Sequence, residues 1–489
     1  MNERDDGRDL GQDLGHGAGH DLFGDTTGGP AGEGPRAAAN DSGRDGLCQA
    51  ARRMARTTET RAEPQPDLFG FAAPAPTPKP ATKRLARATD DDAEIEERDE
   101  GEPQPRGPRA KPPKEPAANP AAPKRRGRGR GVLPAVATQD TLDTAAALPA
   151  SVRLGTSSWS FPGWRGIVYG DDYSQSKLAR DGLSAYGAHP LLRSVSIDRS
   201  FYAPLTVTDY LRYAQQVPDS FRFIVKAPAL VTDASVRGER GEPVSANPCF
   251  LNAELAAREF VEPCLAGLGI KAGALVFQFP PLPDPLLADP AAFVERLAAF
   301  LAALPPLPEP AEGVDGPCYA VEIRDAILLT PRFVRMLRAA GVRYCVGLHA
   351  RMPDPLRQAA ALALMDGETP AGPLIVRWSL HSGFKYEQAK ARYEPFDKLV
   401  DEDPHTCVTL AELAARYAMA GQPVLITTNN KAEGSAPLTC AKLARAIADE
   451  MERLRGETML EATSPPTVGQ ADAPDDVQPG AQEEKREDG

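Results

Sequence analysis

The chain has 489 residues, 42% hydrophobic and 25% charged, with a net charge of -12. That is enough for one large core or two to three domains, and the acidic balance argues against indiscriminate nucleic-acid binding by the whole molecule. Seven cysteines without a C-x-x-C pair argue against a disulfide framework or a zinc knuckle, so a reducing compartment is expected.

The opening residues, MNERDDGRDLGQDLG, lack the apolar core of a secretory leader, and no later apolar run reaches the roughly 18 residues of a membrane span. A soluble, cytoplasmic protein with no membrane partner is expected. From residue 1 to 150, Gly, Asp, Arg, Pro and Ala dominate without helical or strand periodicity. Such a segment buries too little apolar surface to offset its ordering entropy, and composition predicts a disordered tail.

Two short segments within it stand out. The peptide Gln65-Pro66-Asp67-Leu68-Phe69 resembles the short sequence by which bacterial replication and repair proteins bind the DNA sliding clamp, with Gln65, Leu68 and Phe69 as its contacts. An earlier Asp-Leu-Phe-Gly has Gly19 where the glutamine is needed. Arginines spaced by glycine, from Lys124 to Arg130, fit a weak, salt-sensitive contact with nucleic acid, or a solubilising linker that pairs with the acidic run Asp90 to Glu100.

From Val152 onward, strand-length apolar runs alternate with helix-like segments. The strand runs are VRLGTSSW, SVSIDRSF, RFIVKAP, ALVFQFP, YAVEIR, YCVGLH, LIVRWSL and VLITTN. Eight βα repeats over about 300 residues, with strands nearly continuous in Val, Leu, Ile and Phe, predict an α/β fold of the (β/α)8 TIM-like barrel type. An open doubly wound sheet is the alternative. Gly341 and Gly421 follow helical segments where C-terminal caps are expected. The expected organisation is a disordered tail over 1–150, the barrel over 151–456, and a short disordered acidic tail over 457–489.

Several strand runs end in polar chemistry. Strand alternation places Lys226 on the face of Ile224, Gln278 on that of Val276, and Glu322 and Arg324 on one face, so in a barrel these groups meet at the C-terminal mouth. Asp198, His349, Arg377 and Asn430 join them. Lys226, Arg324 and Arg377 are expected to bind an anion, most simply a phosphate or carboxylate. Glu322 moves a proton as general acid or base, and Gln278 and Asn430 orient the substrate. Trp159, Trp164 and Tyr202 supply a stacking wall, or the two tryptophans pack a loop. Arg165 is a further anion ligand or a surface salt bridge. The bland alternative is a Glu322 ion pair that stabilises the barrel mouth.

His349 and His381 with Asp198 and Glu322 form only a thin metal set, so the expectation is a metal-independent enzyme without cofactor, a hydrolase or lyase acting on a phosphorylated substrate. No G-x-x-x-x-G-K-[ST] loop and no G-x-S-x-G elbow occurs. Cys249 and Cys345 read as ordinary apolar residues. The rival function is a nucleic-acid-associated accessory protein recruited through the peptide at Phe69.

Six motifs in one order, GTSSWSFPGWRGIVY, SFY, RFIVKAP, FQFPP, AVEIR and NNKAEGSAP, resemble the domain of unknown function 72, or YecE-like, family of TIM-barrel proteins, over roughly Val152 to Met451. The resemblance implies the barrel and no established activity. Three departures stand out. The family's Glu-x-Asn in the second strand is Ser196-Ile197-Asp198 here, its His after the fifth strand is Asp325, and its Arg-x-His in the seventh is Arg377-Trp378-Ser379. An acidic role carried by the second strand in relatives then falls to Asp198 or is abandoned.

Overall fold

The computed structural model describes residues 131–463 except 239–240 and 382–383. Eight parallel strands close into a barrel. They are β1 (Val152–Thr156), β2 (Leu192–Ile197), β3 (Arg222–Lys226), β6 (Ala272–Gln278), β7 (Cys318–Glu322), β8 (Arg343–Leu348), β9 (Leu374–Trp378) and β10 (Val424–Thr428). β1 pairs with β2 on one side and with β10 on the other, which is the closure an open sheet lacks. β4 (Ser235–Arg237) and β5 (Pro243–Ala246) form an antiparallel hairpin in the connection that follows β3.

Alternation sorts each strand into two faces. Leu154, Val195, Phe223, Leu275, Phe277, Val346, Val376 and Ile426 join the layer beneath the helices, while Ile224, Ala274, Val276, Ala320, Cys345, Ile375 and Leu425 fill the barrel axis. This interior plug is short because both of its ends are polar. Arg153, in register with Leu425, pairs with Asp315 at 2.7 Å, and Arg343 pairs with Asp366 at 2.6 Å, both at the N-terminal end of the strands. Only glycine fits at position 155, where a Cβ would lie 1.9 Å from the Ser194 carbonyl oxygen and a register shift lets β1 and β2 approach. Gly341 and Gly421 adopt φ of 66° and 74°, the left-handed conformation expected after their helices.

The folded region begins before residue 151 and ends after 456, which corrects the expected boundaries. Residues 133–135 run beside 168–170, with Ala135 N donating to Val168 O and Gly170 N to Leu133 O, both at 2.8 Å. The helix Gln139–Ala147 follows, capped by the Thr138 hydroxyl. Its C-terminal carbonyls are collected by Arg193, which donates to Ala145 O at 2.7 Å and Pro149 O at 3.2 Å. At the other end, the helix Ala436–Thr463 turns Cys440, Leu443, Ala444, Ile447 and Met451 inward at helical spacing. Its register carries it past the polar residues at which composition placed the tail. Among the described residues no helix is long and apolar enough to cross a membrane.

Candidate functional site

At the C-terminal mouth, just above the aliphatic plug, four charged side chains meet, and Lys226 stands on the same inward face as Ile224. Arg377, at the end of β9, is the hub. Its Nη1 donates to Glu322 Oε2 at 2.7 Å, and its Nη2 to both Asp198 oxygens at 2.9 Å. Arg324 approaches the other Glu322 oxygen at 2.9 Å. Ser196, two residues before Asp198 on the same face of the chain, donates to Asp198 Oδ1 at 2.6 Å. Lys226, at the end of β3, points its Nζ at the face of Phe201, 3.7 Å from the ring centroid. Arg324 and Arg377 thus bracket Glu322, and Arg377 also holds Asp198.

Burial distinguishes the two carboxylates. Glu322 is wholly buried and Lys226, Gln278, Arg324 and Arg377 nearly so, whereas the Asp198 side chain keeps 20% of its surface exposed. Charges this deep are sustained only by pairing, and Glu322 meets a guanidinium at each oxygen. Glu322 therefore reaches a ligand only by giving up a guanidinium, whereas Asp198, though held by Arg377, keeps exposed surface. Gly347 makes this packing possible, since a Cβ there would sit 3.0 Å from Glu322 Oε1 and 3.1 Å from its Cγ.

Gln278 lies in register with Glu322, on the inward face shared with Ala274 and Val276, and its Oε1 has no hydrogen-bond partner among the described residues. Asn430 departs from expectation. β10 ends at Thr428, so the inward alternation from Leu425 and Thr427 reaches Asn429, whose amide donates to Ser157 at 2.8 Å. Asn430 instead opens the short helix Asn430–Glu433, and its Oδ1 accepts from Trp164 Nε1 at 3.2 Å and from Ala436 N at 2.9 Å.

The stacking wall is reduced to one residue. Trp164 has no exposed surface and packs 4.9 Å from Phe161, and Trp159 is buried with Nε1 donating to Leu178 O at 3.2 Å. Both tryptophans pack the loop after β1, the alternative weighed from the sequence. Tyr202 alone presents an open face at the rim, 43% exposed and edge-on to Phe201. Arg165 lies outside the mouth in a surface pair with Asp172 at 2.9 Å.

Asp325 ties two top loops together, accepting from Leu282 N at 2.8 Å and from Arg351 at 3.1 Å. His349 follows β8 with its Nδ1 accepting from Arg351 N, and His381 packs edge-on against Phe384. Among the described residues no group of three or more His, Cys, Asp or Glu side chains is placed to hold a metal ion. Burial pushes the Cys345 thiol well above its ordinary range, away from the thiolate a nucleophile needs. Ser196, Phe201, Gly347 and Asn429 were not singled out from the sequence. For Ser196 and Asn429 the signal was present in strand parity, and for Gly347 in a glycine within an apolar strand run. Gln65, Leu68, Phe69 and the segment Lys124 to Arg130 lie outside the described residues.

Comparison with known proteins follows the barrel. A family model described as "Protein of unknown function DUF72" matches residues 153–465. A DUF72 family protein from Enterococcus faecalis is similar at 17% identity over 60% of this chain and 95% of its own, with a TM-score of 0.40. One from Thermotoga maritima is similar at 19% identity over 63% and 99%, with a TM-score of 0.39. A methyltransferase from Methanosarcina mazei is similar at 9% identity over 65% and 98%, with a TM-score of 0.34. No curated protein matches the chain.

Proposed function

The chain belongs to the DUF72 family, and from that premise we propose that it is an enzyme, a hydrolase or lyase, acting on an anionic, phosphorylated small molecule at the barrel mouth. The observation that carries this reading is the pairing of buried Arg324 and Arg377 with Glu322 and the partly open Asp198, with buried Lys226 on the same inward face, at the end of the strands where barrel enzymes work. Asp198 keeps an exposed surface that an ion pair serving stability alone would not need. Buried, fixed cations also meet developing negative charge without reorganising, which is where electrostatic catalysis is strongest.

In this reading Lys226 and Arg377 hold the anion, Glu322 and Arg324 keep the Arg377 guanidinium in place, and Asp198 carries the proton. Phe201 lies over Lys226 and Tyr202 beside it, so the short helix Arg199–Tyr202 is the element a ligand displaces on entry.

The test is thermal unfolding of the full chain with inorganic phosphate, pyrophosphate, sugar phosphates and nucleotides. A ligand at a hundred times its dissociation constant adds about 2.7 kcal/mol, a rise in Tm of several degrees. The expected result is such a rise with at least one phosphate ester, lost in Lys226→Met, whose unbranched side chain keeps the packing. No rise with any anion would overturn the proposal.

The peptide Gln65, Leu68 and Phe69 supports a second reading, recruitment to a DNA sliding clamp, with Lys124 to Arg130 adding a weak contact to nucleic acid. Clamp retention by the full chain and its loss in Phe69→Ala is the expected outcome. A wild-type chain that retains no clamp would remove this reading without touching the first.

A further inference from the structure

Gln278 holds a buried amide oxygen that has no hydrogen-bond partner among the described residues. It is 1% exposed, it stands at the last position of β6 beside Glu322 in register, and its inward face is that of Val276, which packs in the barrel axis. Strand β6 runs between β3, which carries Lys226 level with Val276, and β7, which carries Glu322 level with Gln278. A buried acceptor without a donor destabilises the free protein, and such groups persist where they meet a partner in another state of the molecule.

We infer that the ligand of the barrel mouth carries a hydroxyl beside its anionic group, and that Gln278 Oε1 accepts a hydrogen bond from it. This rests on the anion reading above and narrows the substrate class from phosphorylated molecules to hydroxylated phosphate esters, such as phosphates of polyols and sugars. Division of labour follows from the chemistry. Lys226 and Arg377 supply only donors, which suit phosphate oxygens, whereas an amide oxygen supplies an acceptor, which phosphate oxygens cannot use. A site built around an acceptor rejects the analogue that lacks the donor, because binding would then seal the acceptor away unpaired.

The experiment compares glycerol 3-phosphate with n-propyl phosphate, an ester of the same chain length without hydroxyls, by calorimetric titration of the full chain and of Gln278→Met. The wild type is expected to prefer the hydroxylated ester about ten- to a hundredfold, and Gln278→Met to reduce that preference to about twofold. Because methionine removes the unpaired acceptor and nearly keeps the volume, the variant is also expected to unfold at the same or a higher temperature than the wild type without ligand. Equal affinity of the wild type for both esters, or a preference that survives in Gln278→Met, overturns the inference and leaves the anion site standing. A clear fall in the variant's unfolding temperature also overturns it, by showing that the oxygen is already satisfied. Failure of both esters to bind the wild type overturns this inference, and the anion reading falls with it only where the wider anion panel also gives no rise in Tm.

Discussion

Arg377 serves two carboxylates at once, so its removal acts on both. Arg377→Met leaves buried Glu322 with one guanidinium in place of two, and breaking a buried pair from one side costs about 3–5 kcal/mol. Urea denaturation should show a loss of that size, and adding Glu322→Gln to the variant should recover part of it, because the uncompensated charge is then gone. Gly347→Ala acts on the same carboxylate by volume. A methyl group 3.0 Å from Glu322 Oε1 forces the side chain aside, with an expected loss of roughly 1–3 kcal/mol in the same measurement. Much of this cluster was legible in advance, because Lys226, Gln278, Glu322, Arg324 and Arg377 are placed by strand alternation, which is a local property. Asn430 was missed by one position because the end of β10 is set by the turn into the following helix. The burial of Trp164 was left open because it depends on Asn430, far away in sequence.

Among the elements, those with strong internal periodicity were read correctly, and those held by distant partners were not. The eight barrel strands needed only their apolar runs. The helix Gln139–Ala147 did not announce itself, because its C-terminal carbonyls are satisfied by Arg193 from β2 and its surroundings in sequence are polar. The connection entering β2 carries a pH response of its own. Burial lowers the pKa of His189 to about 4, and its Nδ1 accepts from Leu191 N at 3.3 Å, a bond that protonation removes. The unfolded chain takes up that proton near the ordinary value of about 6.5. The stability from neutral His189 is therefore complete above that pH and declines as pH falls toward 4. Between pH 7 and 5 the Tm of His189→Gln should fall less than that of the wild type, as followed by circular dichroism.

For the molecule as a whole, the barrel depends on a belt at its edges as well as on its strands. Comparing fragments 131–463 and 151–463 separates the two, since the shorter one loses the buried Ala145 and Leu148 and leaves the Arg193 guanidinium with the Pro190 carbonyl but without those of Ala145, Leu148 and Pro149. Full burial of one large aliphatic side chain is worth about 1.5–3 kcal/mol, so the shorter fragment should unfold several degrees lower by calorimetry. The pairing of β1 with β10 has a consequence for how the protein is made. On the ribosome, the opening strand waits for its second neighbour until nearly the whole barrel has been translated. Until then the nascent sheet has two bare edges and an uncovered aliphatic axis, the state in which chains adhere to one another. The order of the strands thus makes the interval between synthesis of β1 and of β10 the one in which sticking to other chains competes with closure.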